Sequence, residues 1–234
     1  SGSGRAEGIL VAEILLLQSR GALLAAGVSL LVVLVLRWRR TVWIGIPLVI
    51  GAIAILTPGS GLSWLMEIGS SNMSASAAQT WVDRTLIWQY GASAFMRYPV
   101  TGLGLGHFTV VMPLLFPQAP EAILIATHTH NLYIQVGLDL GAVGMAAYIA
   151  ILTLIFVLFV RSYRASLHHG HHMARDDVHA LRLQRALAAG GLGAMAGLMI
   201  HGLFDAPLWG SKVAWLPWLL FALATNQFLA KMQT

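Results

Sequence analysis

The sequence predicts an all-α protein, a polytopic transmembrane helical bundle of about five spans with a long outer loop that carries an amphipathic helix. Of its 234 residues, 57% are hydrophobic and 10% are charged, against about 25% charged in ordinary soluble domains. The apolar residues are gathered in runs of about 20, the length that crosses the hydrocarbon core. The 24 glycines are also more typical of membrane helices than of soluble ones.

The predicted spans lie in two blocks on either side of a mostly polar loop. Residues 1–56 hold two spans, the loop covers 57–131, and residues 132–234 hold three spans with a hydrophilic linker at 161–185. The five apolar runs are 9–36, 42–56, 132–160, 186–204 and 213–230. Because no methionine precedes Met66, we expect the first block to continue a longer protein.

Lysine and arginine counts predict the orientation of the bundle. Three arginines separate the first two spans and five lie in the linker 161–185, whereas the much longer loop 57–131 contains only two basic residues. Cytoplasmic loops carry the excess of positive charge in membrane proteins. We therefore expect the loop 57–131 to lie on the outer side.

Several kinds of site are excluded or disfavoured by composition. The chain has no cysteine, so it forms no disulfide or thiolate metal site. Its net charge of +5 sits in short clusters between apolar runs, which membrane topology explains, and no nucleic acid partner is predicted. The glycine-rich stretch 102–106 does not follow a strand or open a helix of a βαβ unit, so it predicts a turn between surface helices rather than a dinucleotide site.

A helix is predicted inside the outer loop at about 81–98. Thr80 and Asp83 have the spacing of a capping box, and Pro99 would end the helix. The residues that share one helical face are Arg84, Trp88, Gly91 and Phe95. An amphipathic helix along the outer membrane surface is the expected structure.

Arg20 interrupts an apolar run. An arginine in mid-membrane costs roughly 2.5–3.5 kcal/mol on insertion scales. Two interpretations are open: Arg20 binds an anion, or the span begins at Gly21 and Arg20 anchors it at the interface.

Two further places hold groups that could carry chemistry. His128 and His130 end the outer loop, and Asn131 is a candidate N-cap for the next span. The positive end of that helix favours neutral imidazole, the form a general base needs. A metal is not predicted there, because the sequence offers no third ligand nearby. Asp205 follows the fourth span and could be a cap, a counter-ion for Arg20 or Arg84, or a site carboxylate.

In their order, these motifs resemble the C-terminal half of the O-antigen ligase/polymerase (Wzy/WaaL-like) membrane glycosyltransferase family. The similarity lies in the segments 18–23, 84–108, 130–141 and 201–208.

The resemblance implies a metal-independent transferase without a cofactor. It would move a glycan from undecaprenyl pyrophosphate to a hydroxyl of lipid A-core, another glycan or a protein, on the outer face of a bacterial inner membrane. Arg20 and Arg84 would bind the pyrophosphate, and the catalytic residue His130 would deprotonate the acceptor hydroxyl or orient it for inverting attack. His128 and Asp205 are further candidates for substrate binding.

Two other functions remain open. Members of the family have about twice as many spans, so the chain could be a truncated, non-catalytic subunit or scaffold that packs on other membrane subunits and lipids. A transporter would need paired acids and bases inside the spans. The only candidate pair is Glu13 with Arg20, two helical turns apart.

Overall fold

All regular structure in the computed structural model is helical. The structure describes residues 20–41, 43, 45, 47, 51, 73–167, 175–206, 209 and 214–232. Within these residues there is no β-strand, and the α-helices are α1 (Arg20–Arg37), α2 (Met73–Arg97), α3 (Phe108–Leu115), α4 (Glu121–Leu124), α5 (Leu132–Leu167), α6 (Arg175–His201) and α7 (Leu216–Met232). A short 3-10 helix, Arg39–Thr41, follows α1. The predicted all-α class is confirmed.

Two of the described helices have the length and composition to cross a membrane. They are α5 and the part of α6 from Val178 to His201, which correspond to the third and fourth predicted spans. Helices α1 and α7 correspond to the first and fifth, with shorter apolar segments. The second predicted span, 42–56, lies almost wholly outside the described residues, so the count of about five spans remains a prediction.

Small residues allow α1 and α6 to pack closely and antiparallel. A Cβ built on Gly193 would lie 2.9 Å from the Ser29 carbonyl oxygen, and one on Gly197 would lie 2.9 Å from that of Ala25. Glycines four residues apart permit this close approach of two backbones. In the same register, a Cβ on Gly21 would lie 2.9 Å from Cβ of Phe204. The start of α1 therefore lies beside the segment that follows α6.

Helix α5 also runs antiparallel to α6. At one end the Leu132 N–H donates to the Gly202 carbonyl at 2.7 Å, and at the other Arg185 donates to the Ser166 carbonyl at 2.5 Å. The core between the helices consists of Leu132, Val136, Tyr148, Leu152, Ile155, Leu158, Phe159, Leu192, Met195 and Ala224. The start of α5, the start of α1 and the end of α6 therefore meet at one end of the bundle.

Helix α2 lies across the first turns of α5. A Cβ on Gly91 would lie 3.3 Å from Cγ2 of Ile134, so the helical face predicted from the sequence is turned toward α5. The helix ends at Arg97, before Pro99, as expected. It begins at Met73, earlier than predicted, so Thr80 lies inside the helix and does not cap its start.

The glycine-rich stretch forms a turn between α2 and α3, as predicted. Gly102, Gly104 and Gly106 all have positive φ, at 66°, 95° and 70°. A Cβ on Gly102 would lie 2.5 Å from the Leu138 carbonyl oxygen. The turn thus needs glycine both for its backbone conformation and for its closeness to α5.

The turn docks on a kink in α5. Gly141 has φ 70° and ψ −176° inside an otherwise helical segment. The Ala142 N–H donates to the Pro99 carbonyl at 2.7 Å, and the Leu103 N–H donates to that of Leu138 at 2.5 Å. The kink therefore exchanges helical hydrogen bonds for bonds to the loop.

Gly141→Ala is expected to destabilise the protein strongly. A Cβ on Gly141 would collide with the Val100 carbonyl, and a positive φ alone costs a non-glycine residue about 1–3 kcal/mol. The matched control is Gly190→Ala, because Gly190 is helical and a Cβ there would meet nothing within 4 Å. Thermal unfolding in detergent measures both variants. Equal melting temperatures for the two would contradict the docking of the turn on the kink.

Candidate active site

Two histidines and an aspartate face one another where the helix ends meet. Nε2 of His128 lies 3.0 Å from Oδ1 of Asp205, and Nδ1 of His130 lies 3.4 Å from the same oxygen. The two imidazole rings have centroids 4.0 Å apart. The structure therefore joins His128 and His130 at the start of α5 with Asp205 beyond the end of α6.

His130 has a strained backbone. Its φ of 50° makes it the only described non-glycine residue with positive φ. Such conformations cost about 1–3 kcal/mol and persist only when the surroundings hold them. Here the neighbouring Thr129 is fixed by three bonds. Its carbonyl accepts from Nε1 of Trp88 at 2.8 Å, its N–H donates to Oε1 of Gln135 at 2.9 Å, and its hydroxyl donates to the Asn131 carbonyl at 2.8 Å.

Asn131 caps α5, as its sequence position predicted. Its Oδ1 accepts the N–H groups of Tyr133 at 3.0 Å and Ile134 at 3.1 Å. Its Nδ2 donates to the Leu203 carbonyl at 3.2 Å. The cap therefore also ties the histidine turn to the segment that carries Asp205.

Arg84 binds the same segment from α2. Its Nη1 donates to the Phe204 carbonyl at 2.6 Å. Trp81 packs edge-on against the Phe204 ring, with centroids 5.9 Å apart. Burial lowers the pKa of Arg84 while the charge of Asp205 opposes that shift, and an arginine stays protonated in either case. Arg84 thus places a fixed positive charge close to the imidazoles.

Asp205 is held as a carboxylate. Burial would raise its pKa, but the hydrogen bonds from His128 and the Ala206 N–H, together with the nearby His130 imidazole, hold the pKa well below the usual range of an aspartate. The Ala206 N–H lies 2.8 Å from Oδ1. At neutral pH, Asp205 is therefore an ionised acceptor that binds His128 and faces His130.

The side chain of Arg20 lies outside the described residues. Its backbone begins α1, and its neighbour Gly21 lies against Phe204, whose carbonyl Arg84 binds. The structure therefore brings four of the five predicted site residues together, and it puts the backbone of the fifth near them. Their roles remain predictions.

The cluster has the donor types of a metal site, which the sequence did not indicate. One ligand atom from each of His128, His130 and Asp205 lies within 4.8 Å of the others. The missing third ligand comes from Asp205, which is distant in sequence. Two histidines and a carboxylate are a ligand set that zinc can use. The absence of a metal therefore remains a prediction, which the addition of a chelator tests.

Two polar residues behind the cluster were not singled out from the sequence. Gln135 and Asp139 are buried in α5, with 5% and 4% of their surfaces exposed. Oδ1 of Asp139 accepts from Nε2 of Gln135 at 3.2 Å, and Oδ2 accepts from Nε1 of Trp209 at 2.7 Å. The i, i+4 spacing of these two residues is visible in the sequence. The signal that could have singled them out is the presence of a carboxylate in an otherwise apolar helix.

Fold and site together define a helical membrane protein with an arginine, two histidines and an aspartate at one end of its bundle. Residues 8–149 match the family model of the O-antigen ligases, and the chain belongs to that family. It is thus related to membrane enzymes that transfer glycans. The match includes Arg84, His128 and His130 but ends before Asp205. A comparison with curated proteins finds no match.

Proposed function

We propose that this protein transfers a glycan from undecaprenyl pyrophosphate to an acceptor hydroxyl, on lipid A-core or another glycan, at the periplasmic face of a bacterial inner membrane. Family membership supports the general reaction. The observation that carries the proposal is the cluster of Arg84, His128, His130 and Asp205. It offers a positive charge for an anionic donor beside an imidazole that can accept a proton.

The planar guanidinium of arginine is suited to binding the phosphates of the donor. Arg84 uses Nη1 to hold Phe204, and its guanidinium has further N–H donors for phosphate oxygens. Arg20, at the start of α1, is proposed to bind the same pyrophosphate. The positive charges stabilise the negative charge that develops on the leaving pyrophosphate.

His130 is proposed as the general base. Its Nδ1 is buried toward Asp205, which leaves Nε2 for the acceptor hydroxyl. As the acceptor oxygen forms its bond to the anomeric carbon, the bond from that carbon to the pyrophosphate oxygen breaks. The hydroxyl proton passes to His130, and the electron pair of the broken bond leaves with the polyprenyl pyrophosphate. Asp205 stabilises the resulting imidazolium, as a carboxylate does in other acid–base pairs.

The charge distribution supports the proposed orientation. Tyr163 binds the Leu36 carbonyl at 2.6 Å, so Arg37, the 3-10 helix and the end of α5 lie together at the end of the bundle away from the histidines. The basic residues at this end include Arg37, Arg39, Arg40, Arg161, Arg164, Arg175, Arg182 and Arg185. Basic residues favour the cytoplasmic side, so the histidine end would face the periplasm.

A transfer assay in membrane vesicles tests the proposal. The vesicles contain the protein, a polyprenyl-pyrophosphate-linked oligosaccharide as donor, and lipid A-core or glycan as acceptor. We expect glycan on the acceptor, release of polyprenyl pyrophosphate, and an unchanged rate when EDTA is added. Absence of transfer with every acceptor would refute the proposal and favour a non-catalytic subunit. A rate lost with EDTA and restored by zinc would replace the metal-free mechanism.

A further inference from the structure

The histidine turn and Asp205 come from segments that are far apart in sequence, yet their side-chain atoms meet within 3.4 Å. Contacts between the two segments must set the distance between the histidine turn and Asp205. The two segments are joined directly by Asn131, which donates to the Leu203 carbonyl, and by the Leu132 N–H, which donates to the Gly202 carbonyl. A second connection between them is the chain of hydrogen bonds through Thr129, Gln135, Asp139 and Trp209, here called the Asp139 network.

The network connects the two halves of the cluster through one carboxylate. On one side, Asp139 accepts from Gln135, whose Oε1 accepts the Thr129 N–H between the two histidines. On the other side, Asp139 accepts from the indole of Trp209 at 2.7 Å. Trp209 follows Asp205 by four residues, and its main-chain N–H donates to the Ala206 carbonyl at 3.2 Å. One oxygen of Asp139 is thus bound to the histidine turn through Gln135, and the other is bound to the Asp205 segment through Trp209.

The carboxylate also lies close to the glycine-rich turn, near the Gly106 main chain. Among the described residues, no lysine or arginine forms an ion pair with Asp139. Burying a carboxylate without a cation is costly, and well-packed apolar residues are often at least as stable. A geometric role therefore explains a carboxylate at this position better than a contribution to stability does.

We propose that Asp139 and Gln135 are positioning residues that set the spacing between the histidine turn and Asp205. This inference rests on the proposed function for its kinetic consequence but not for its structural one. Replacing Asp139 by asparagine puts an amide N–H₂ where the network needs an acceptor, so one half of the cluster loses its anchor. A shift of about 1 Å in a catalytic group can cost on the order of 100-fold in rate.

The test compares Asp139→Asn and Gln135→Leu with wild type. We expect kcat for glycan transfer to fall about 10- to 100-fold, with the KM for the lipid-linked donor nearly unchanged because Arg84 is not part of the network. We also expect the ¹⁵N imidazole resonances of His128 and His130 to shift, whether or not the protein is active.

Tyr148→Phe is the matched control. The Tyr148 ring packs edge-on against Trp209 with centroids 5.3 Å apart, yet among the described residues its buried hydroxyl has no hydrogen-bond partner. Its removal should leave kcat and both resonances as in wild type.

The outcomes separate the two proposals. Inactive wild type with shifted resonances in Asp139→Asn refutes the proposed function and supports the positioning role. If the wild type is active, the positioning role is overturned when Asp139→Asn leaves the histidine resonances unmoved. It is also overturned when Asp139→Asn keeps the wild-type kcat. A fall in kcat accompanied by an equal loss in Tyr148→Phe would show general damage to packing and would also overturn it.

Discussion

His130→Ala is expected to reduce glycan transfer by about 100- to 10,000-fold, the range that a positioned general base contributes. The variant loses the proton acceptor that Asp205 orients, while the positive charge of Arg84 remains. The donor should therefore still bind, and its KM should change little. Steady-state transfer rates in vesicles measure both quantities.

His179→Ala is the control for this prediction. His179 is exposed near the start of α6, at the opposite end of that helix from the site, so its loss should not affect transfer. Because α5 is capped by Asn131 and not by His130, the alanine variant should also fold. A folded His130→Ala protein with wild-type rates would remove the base from the mechanism.

Arg84→Ala is expected to lower kcat/KM for the lipid-linked donor about 10- to 100-fold, since a hydrogen bond to a charged group is worth about 1.5–3 kcal/mol. Arg84→Lys should recover part of this loss, because lysine restores the charge but not the planar fork. Inorganic pyrophosphate serves as a second probe. It should inhibit the wild type at lower concentrations than it inhibits Arg84→Ala.

Arg97→Ala provides the comparison on the same helix. Arg97 is exposed and its guanidinium stacks on Phe116 at 4.8 Å, away from the histidine cluster. Its removal should leave pyrophosphate inhibition unchanged. If both arginine variants behaved alike, the effect would reflect overall charge and not a phosphate site.

The sequence predicted those features that depend on local pattern. Apolar runs predicted α1, α5, α6 and α7, Asn131 predicted the cap of α5, and the glycines at 102–106 predicted a turn. These succeed because capping, apolar length and positive φ depend on a few adjacent residues. Thr80 shows the limit of the same reasoning, because its capping pattern is overridden by a helix that begins earlier.

The sequence could not predict contacts between distant segments. Asp205 was left with three alternative roles, and only the antiparallel packing of α5 and α6 shows that it faces both histidines. Gln135 and Asp139 were not singled out, because their partners Thr129 and Trp209 lie in different segments. Gly141 was part of the family resemblance, but its kink depends on docking of the turn that contains Gly102.

The junction of α5 and α6 has one more consequence, which concerns main-chain amides. The first four N–H groups of α5 are all satisfied, by Gly202 and by Asn131. The carbonyls of Gly202, Leu203 and Phe204 likewise have donors. Helix starts elsewhere bind anions with free amides, but this one has none left. The start of α5 therefore offers no free amide for an oxyanion hole, and in the proposed reaction the guanidinium of Arg84 would stabilise the departing charge instead.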